Sequence, residues 1–542
     1  MKKKYLYKTL GGFLATSVLL TGCGGGAAAG TAAGSGGSSS GKQSVSLDLI
    51  TEPPTLDPAM ATDTTSDFVI NAAFEGLTHL GSDNKPVPGI AESWSTSQNG
   101  TVWTFKLRDA KWSNGDPVTA NDFVYAWKHI LNPKTGAQFA NYLYYIKGAK
   151  EYNTNKGSAD QVAVKAIDDH TLQVTLNTPV PFFLDLTAFH PYFPVDQKVV
   201  EKNPKWAADA STIVSDGPFK VASWQHQQKL VLQKNQNYWD KNSIKLDQVT
   251  GVIVNDLNTQ YQMFKSGQLD MDVKLPATLT PKLLQSGEAK IYPLAGTYML
   301  EFNTQKKPFD NVNIRKALSL AIDRQSLVKD VTQQGETPAY AFVPPGDPGK
   351  NGDFRKEGGD LFKDDVAQAK QLLAQGLKEE GLSQLPPITY QYNTVDYNKK
   401  IAEAIQQMWK KNLGVDVTLQ NEDWKIYLDK LTKGDFQIGR MGWIQSYTDP
   451  SAELDLLKSD FGSNYTRWKN KQFDKYVNEA ETTTDVSKRM DDMHKADQLI
   501  IDQAPVAPLF FYTNVFAFNK KIDGIVVHPS DTFPDVRYMS VK

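Results

Sequence analysis

Hydrophobic and polar positions trade places along this chain on two different periods. Trp103, Phe105 and Leu107 alternate with polar neighbours, which predicts a half-buried strand. The segment SNGDP (113–117) reads as a turn, and Thr119 and Asp122 stand at capping-box spacing. Phe123, Ala126, Trp127, Ile130 and Leu131 then follow at helical intervals until Asn132-Pro133 stops them. A second helix is predicted after Asp310-Asn311, with Ile314, Ala317, Leu318, Ala321 and Ile322 on one face. A third runs from about Lys399 to Leu413, with Ile401, Ile405, Met408 and Trp409 on one face and Gly414 as its C-cap. Val415, Val417 and Leu419 then resume strand alternation, so the chain is predicted to be mixed α/β.

The ends do not share this pattern. Three lysines precede a mostly apolar run from Leu10 to Leu20 that is too short to span a bilayer and reads as a secretion signal, residues 1–22. The run ends at Leu20-Thr21-Gly22-Cys23, an order that resembles the lipobox of bacterial lipoproteins. The resemblance implies cleavage before Cys23 and a diacylglycerol thioether on its sulfur. Two acyl chains matter, because each buried methylene adds roughly 0.8 kcal/mol and one chain anchors only marginally. Residues 24–41 contain only Gly, Ala, Ser and Thr, so 23–42 is predicted to be a lipidated cysteine followed by a flexible tether. Such a tether spans on the order of 25 Å.

Composition narrows the function classes. Cys23 is the only cysteine in the sequence, which excludes an intramolecular disulfide and a cysteine-based metal site. A balance of 59 basic and 61 acidic residues argues against a nucleic-acid partner. The seven histidines are scattered, with no HExxH, and there is no GxSxG, no phosphate-loop motif and no GxGxxG after a strand. No enzymatic activity, cofactor or metal is therefore expected. Some 500 residues follow the tether, more than one core usually supports, so several domains are predicted.

From about Val45 onward the chain resembles the extracytoplasmic solute-binding proteins of peptide importers. The resemblance rests on GIAESWSTSQNGTVWTFKLRDAKWSNGDPVTANDFVYAWKHILNP (89–133), PTLDP (54–58), SDGPFKVASW (215–224), NYWD (237–240), FNTQKKPFDNVNIRKALSLAIDR (302–324) and KKNLGVDVTLQNEDW (410–424), in family order. It implies a two-lobed periplasmic-binding-protein-like fold with a hinge and an extra subdomain. Domain I would combine 43–75, 196–295 and 513–542, domain II would be 76–195 and domain III 296–512. Hinge crossings would lie near 295 and 513.

The resemblance also implies a ligand, an oligopeptide held by strand addition, and a partner, the permease of an ABC importer. The stretch GWIQSYTDP (442–450) resembles the family segment that pairs with the peptide backbone. Gly442 and Ile444 would offer backbone groups, with Trp443 walling a side-chain pocket and Tyr447 beside it. A facing strand would come from about Thr62 to Thr65, including Thr64. Tyr142 matches an aromatic ligand contact, Glu301 a site carboxylate, and Arg440 an arginine that reaches the carboxylate of short peptides. Ser446 departs from the family, since enteric relatives carry there an aspartate that pairs with the peptide's α-amino group. Either Asp449 or Glu301 then supplies that charge, or the ligand is gripped by its middle, or its N-terminus is blocked or distant. Asn398 stands where those relatives have a histidine, and Gly296 and Ile444 where they have a paired cysteine.

The function these features imply is a monomeric, lipid-anchored receptor. It would stand on the outer face of the cell membrane of a single-membrane bacterium and deliver oligopeptides to the permease. The alternative is the same fold serving as the receptor for one signalling peptide or a non-peptide solute.

Overall fold

The computed structural model describes residues 43–542 apart from Thr484. The signal segment 1–22, Cys23 and the tether to residue 42 lie outside the described residues. Among the described residues no helix is long and apolar enough to cross a membrane.

One long sheet organises the body. Its strands in chain order are β1 (Ser44–Asp48), β2 (Phe219–Gln225), β3 (Lys229–Lys234), β4 (Gln248–Val252), β5 (Met271–Asp272), β6 (Ala289–Phe302), β7 (Ile388–Asn393), β8 (Val417–Glu422), β9 (Ile438–Ile444) and β10 (Val506–Phe518). Their order across the sheet is β8-β7-β9-β6-β10-β5-β1-β4-β3-β2, with Thr337–Pro338 as an eleventh, short strand against β10. A separate four-stranded antiparallel sheet contains Val102–Leu107, the strand read from the Trp103, Phe105, Leu107 alternation.

The two longest strands, β6 and β10, run antiparallel and hold the sheet's halves together. Their pairing shifts register between Pro293 and Thr297, so residue 295 falls at the irregularity and residue 513 lies opposite Pro293. Alternation along β6 and β9 sends side chains into two cores. Tyr298, Leu300, Phe302 and Ile438 enter one, and Met299, Met441 and Trp443 enter the other. The mixed α/β fold is that of the periplasmic peptide-binding proteins, two-lobed and curled around a cleft.

The helices follow the periodicity closely. Helix α1 is Thr64–Ala73, α2 is Ala120–Leu131, α3 is Val312–Leu320, α4 is Asp396–Leu413 and α5 is Trp424–Lys433. In α2 the Asp122 carboxylate accepts from the Thr119 backbone N–H at 2.7 Å, and Phe123, Ala126, Trp127, Ile130 and Leu131 are buried as their spacing predicts. Gly414 caps α4 in the left-handed region. Ala321 and Ile322 are buried but lie beyond the end of α3.

The facing strand expected at 62–65 does not exist. Thr64 and Thr65 open α1, because the Asp63 carboxylate accepts from the backbone N–H groups of Thr65 and Ser66, both at 3.1 Å. Two orphan amides of the first turn are thereby satisfied, which fixes the helix start.

Candidate functional site

β9 is paired along its whole length on one edge and only at its start on the other. Its antiparallel register with β6 runs from Phe302↔Ile438 to Gly296↔Ile444. On the far edge β7 pairs only with Ile438 and Gly439. The Gln445 N–H donates to Ala295 and the Gln437 carbonyl accepts from Asn303, so odd-numbered residues turn their backbone groups toward β6. By alternation Arg440, Gly442 and Ile444 turn theirs to the edge that β7 has left. Among the described residues no strand continues the pairing there.

A tyrosine closes the start of this free edge. The hydroxyl of Tyr427, on α5, lies 2.6 Å from the Arg440 carbonyl oxygen and 3.3 Å from that of Gln391 at the end of β7. Beyond it only Gly442 and Ile444 remain with open backbone groups. Gly442 has a local reason to be glycine, since an added Cβ would sit 2.1 Å from the Tyr512 hydroxyl oxygen.

The free edge opens onto a cleft of about 300 Å³. Its wall is built from the start of α1, the loop around Phe189 and His190, Val273-Lys274, the start of α4, residues 440–448, Tyr512–Asn514 and Ser530–Arg537. The size and the mixture of aromatic and polar groups suit a ligand pocket.

Of the sequence-derived site residues, Thr64, Asn398, Arg440, Gly442, Trp443, Ile444, Ser446 and Tyr447 line this cleft. Trp443 is held by its indole N–H, which donates to the Ala452 carbonyl at 2.8 Å, and it packs edge-on to Phe139 and Phe461. Tyr447 stacks on Phe182 with ring centroids 4.5 Å apart. Asn398 is buried, donates to Asn393 at 2.8 Å and accepts from the Tyr298 hydroxyl at 3.3 Å. Gly296 and Ile444 are register partners, so close that an added Cβ on Gly296 would meet the Trp443 carbonyl oxygen at 2.3 Å.

Two of the named residues are not on the cleft wall. Tyr142 is buried behind it, with its hydroxyl 3.4 Å from Ser446 Oγ. Glu301 pairs in register with Gly439 on the other face of the sheet from Arg440, fully buried, with neither carboxylate oxygen hydrogen-bonded. Burial pushes its carboxyl up to about 8, against the pull of Arg440. Asp449 is committed elsewhere, in a bidentate pair with Arg489 at 2.8 and 2.9 Å. Neither carboxylate stands free to replace the charge that Ser446 lacks.

The sequence pass did not single out the cleft residues Lys274 and Tyr512, or Tyr427 beside them. Lys274 Nζ stands 3.9 Å from the centroid of the Tyr397 ring, and burial lowers its ammonium to about 8. The acidic part of the wall carries Asp63, Asp67 and Asp531. Burial raises all three, Asp531 to about 6.

The profile of the bacterial extracellular solute-binding proteins, family 5 Middle, matches residues 85–465. The chain is 46% identical over 538 residues to the oligopeptide-binding protein OppA of Bacillus subtilis, covering 97% of each. It is 45% identical to the dipeptide-binding protein DppE of the same organism, covering 88% of each. A solved structure of the Escherichia coli murein tripeptide binding protein MppA, 35% identical, superposes with a TM-score of 0.86 over 92% of this chain and 98% of that one. The unliganded open form of MppA, at the same identity and covering 92% and 97%, reaches only 0.61. Since both are forms of one protein, the drop measures how the lobes are arranged, and this chain is arranged unlike the open form. With β9 presenting an open edge inside a cleft and with these relatives on both sequence and structure, the chain belongs to the bacterial extracellular solute-binding proteins of family 5.

Proposed function

We propose that this protein captures oligopeptides outside the cytoplasm and hands them to the permease of an ABC importer. The observation that carries this reading is the free edge of β9 within the cleft. An extended peptide brings one N–H and one C=O per residue, and burying them unpaired costs about 1–3 kcal/mol each. Gly442 and Ile444 offer the complementary groups, so the guest adds as a strand and its side chains are left to the pocket walls. Thr64 contributes from the first turn of α1, and Trp443 and Tyr447 form the apolar wall. Arg440 receives the carboxylate of a short peptide. Because backbone pairing ignores side-chain identity, many sequences fit, with water filling spare pocket volume.

Closure follows from the hinge. Domain I (43–75, 196–295 and 513–542) and domain II (76–195) form one lobe, and domain III (296–512) the other. The chain crosses between them in β6 and β10, near residues 295 and 513. The two MppA forms support a motion of this kind, since one of them fits this chain far less well than the other. The protein acts as a monomer without cofactor or metal, tethered to the outer face of the membrane through lipidated Cys23.

Mass spectrometry of ligand released from freshly purified protein tests the reading. Many peptides of similar length are the expected result. A single peptide species would favour the signalling receptor, and recovery of no peptide would overturn the proposal. For the anchor, C23S is expected to release the protein from membranes with ligand affinity unchanged, and retention of the variant would refute lipidation.

A further inference from the structure

Arg440 stands apart from the other arginines. Of the eight in the sequence, Arg324, Arg355, Arg489 and Arg537 pair with carboxylates, and Arg108, Arg315 and Arg467 donate to backbone carbonyls. The Arg440 guanidinium has only the Tyr512 hydroxyl at 3.5 Å and the Tyr298 ring, 5.0 Å to its centroid, and its buried Nε has no hydrogen-bond partner.

A second cation faces the same part of the cleft. Among the described residues the Lys274 ammonium has no carboxylate within ion-pair distance and no acceptor, only the Tyr397 ring beneath it. The carboxylate that acts on it, Glu336, is occupied by Thr332, the Gln334 backbone N–H and the Tyr397 hydroxyl, at 2.9, 2.9 and 2.6 Å. Lys274 and Arg440 repel one another, and each is partly withdrawn from water. Two such cations without an anion are costly for the fold, and a carboxylate placed between them removes the cost. The start of α4 lies on the same wall, and its N-cap, Val395, has no side chain able to accept from the first-turn amides.

We propose that Lys274 is a specificity-determining residue that, with Arg440, seats the terminal carboxylate of the captured peptide. This rests on the peptide-capture reading and deepens it. The seat lies where the free edge stops, because Tyr427 occupies the Arg440 carbonyl oxygen. A guest strand paired to Gly442 and Ile444 therefore runs out beside the two cations, and the group it presents there is its end. The cleft thus selects peptides by length, favouring those whose carboxylate reaches the seat.

The test is a titration of the full-length protein, freed of bound ligand, with alanyl peptides of two to six residues, each as free acid and as C-terminal amide. At one length the wild-type protein is expected to bind the acid at least about tenfold more tightly than the amide. K274M should lose most of that advantage, weakening the acid about fivefold or more while leaving the amide within about twofold. Equal binding of acid and amide at every length overturns the seat while leaving peptide capture intact. Equal weakening of acid and amide by K274M shows a merely structural lysine and also overturns it. Failure of every peptide to bind the wild-type protein takes down the capture reading and the seat together.

Discussion

The two ends of β9 differ in what they complete. Ile438 is fully buried and paired on both edges, and Gly439 fits only because its missing Cβ leaves room for Leu431 and Tyr427. Five residues later, Ile444 is paired on one edge only and lines the cleft. The first end is finished by the protein itself, and the second is left for a guest to finish. The boundary between them is one hydroxyl, that of Tyr427. A strand can serve stability and binding at once when its pairing ends before the strand does.

The strongest way to break this comparison is to fill the unfinished end. In G442V the first added carbon lies 2.1 Å from the Tyr512 hydroxyl oxygen, so the strand or Tyr512 must shift. Peptide affinity is expected to fall at least about a hundredfold, ~2.7 kcal/mol. Calorimetric titration checks this, with circular dichroism to confirm folding. Unchanged affinity would mean that the guest pairs elsewhere.

The finished end has its own signature, in pH. Glu301 lies opposite Gly439, with its carboxyl held up at about 8 by burial rather than at the ordinary 4.5. The folded state therefore keeps this proton where the unfolded chain has lost it. Stability falls as pH rises from about 4.5 to 8, and the contribution is intact only below that window. E301Q removes this group's share of the slope and should stabilise the protein at pH 8 by on the order of 2 kcal/mol. Asp48 and Asp531, raised to about 7 and about 6, leave a residual slope in the same direction. Urea unfolding across pH 5–8 measures it, and parallel curves for wild type and variant would refute the assignment.

Moving the boundary sharpens the comparison further. Y427F strips the hydroxyl from the carbonyls of Arg440 and Gln391. The expected loss is about 1 kcal/mol of unfolding free energy. The freed Arg440 carbonyl also lengthens the open edge, so the preferred peptide length should increase. A stability loss with no change in length preference would show that Tyr427 braces β7 without limiting the guest.

What the sequence revealed follows from how local each signal is. The α2 face and its cap, the α4 face and the Gly414 stop are each written within a few residues, and the structure reproduces them. The start of α1 was legible too, since Asp63 followed by Thr65 and Ser66 is a cap signature. The resemblance to a strand-pairing segment overrode it. Glu301 looked like a site carboxylate because it neighbours the site in sequence, yet β alternation sends it to the far face. Lys274 left no local trace. Only the approach of β5 to α4 across the fold places it over Tyr397, and no spacing along the chain encodes that.

The smallest expected change concerns the far end of the open edge. Ser446 lines the cleft with its hydroxyl 3.4 Å from that of Tyr142, while Asp449 is held by Arg489 and Glu301 is buried on the other face. No carboxylate therefore stands where a free α-amino group would arrive along β9. In S446D a carboxylate enters there, with the Tyr142 hydroxyl in place to donate to one of its oxygens. A charge-assisted bond is about twice as strong as a neutral one, so peptides with a free amine should gain roughly fivefold in affinity. N-acetylated peptides bring no cation and should not gain. Equal gains for both would show that the substitution reshapes the pocket without meeting an amine, and the guest's N-terminus would then lie away from the open end of β9.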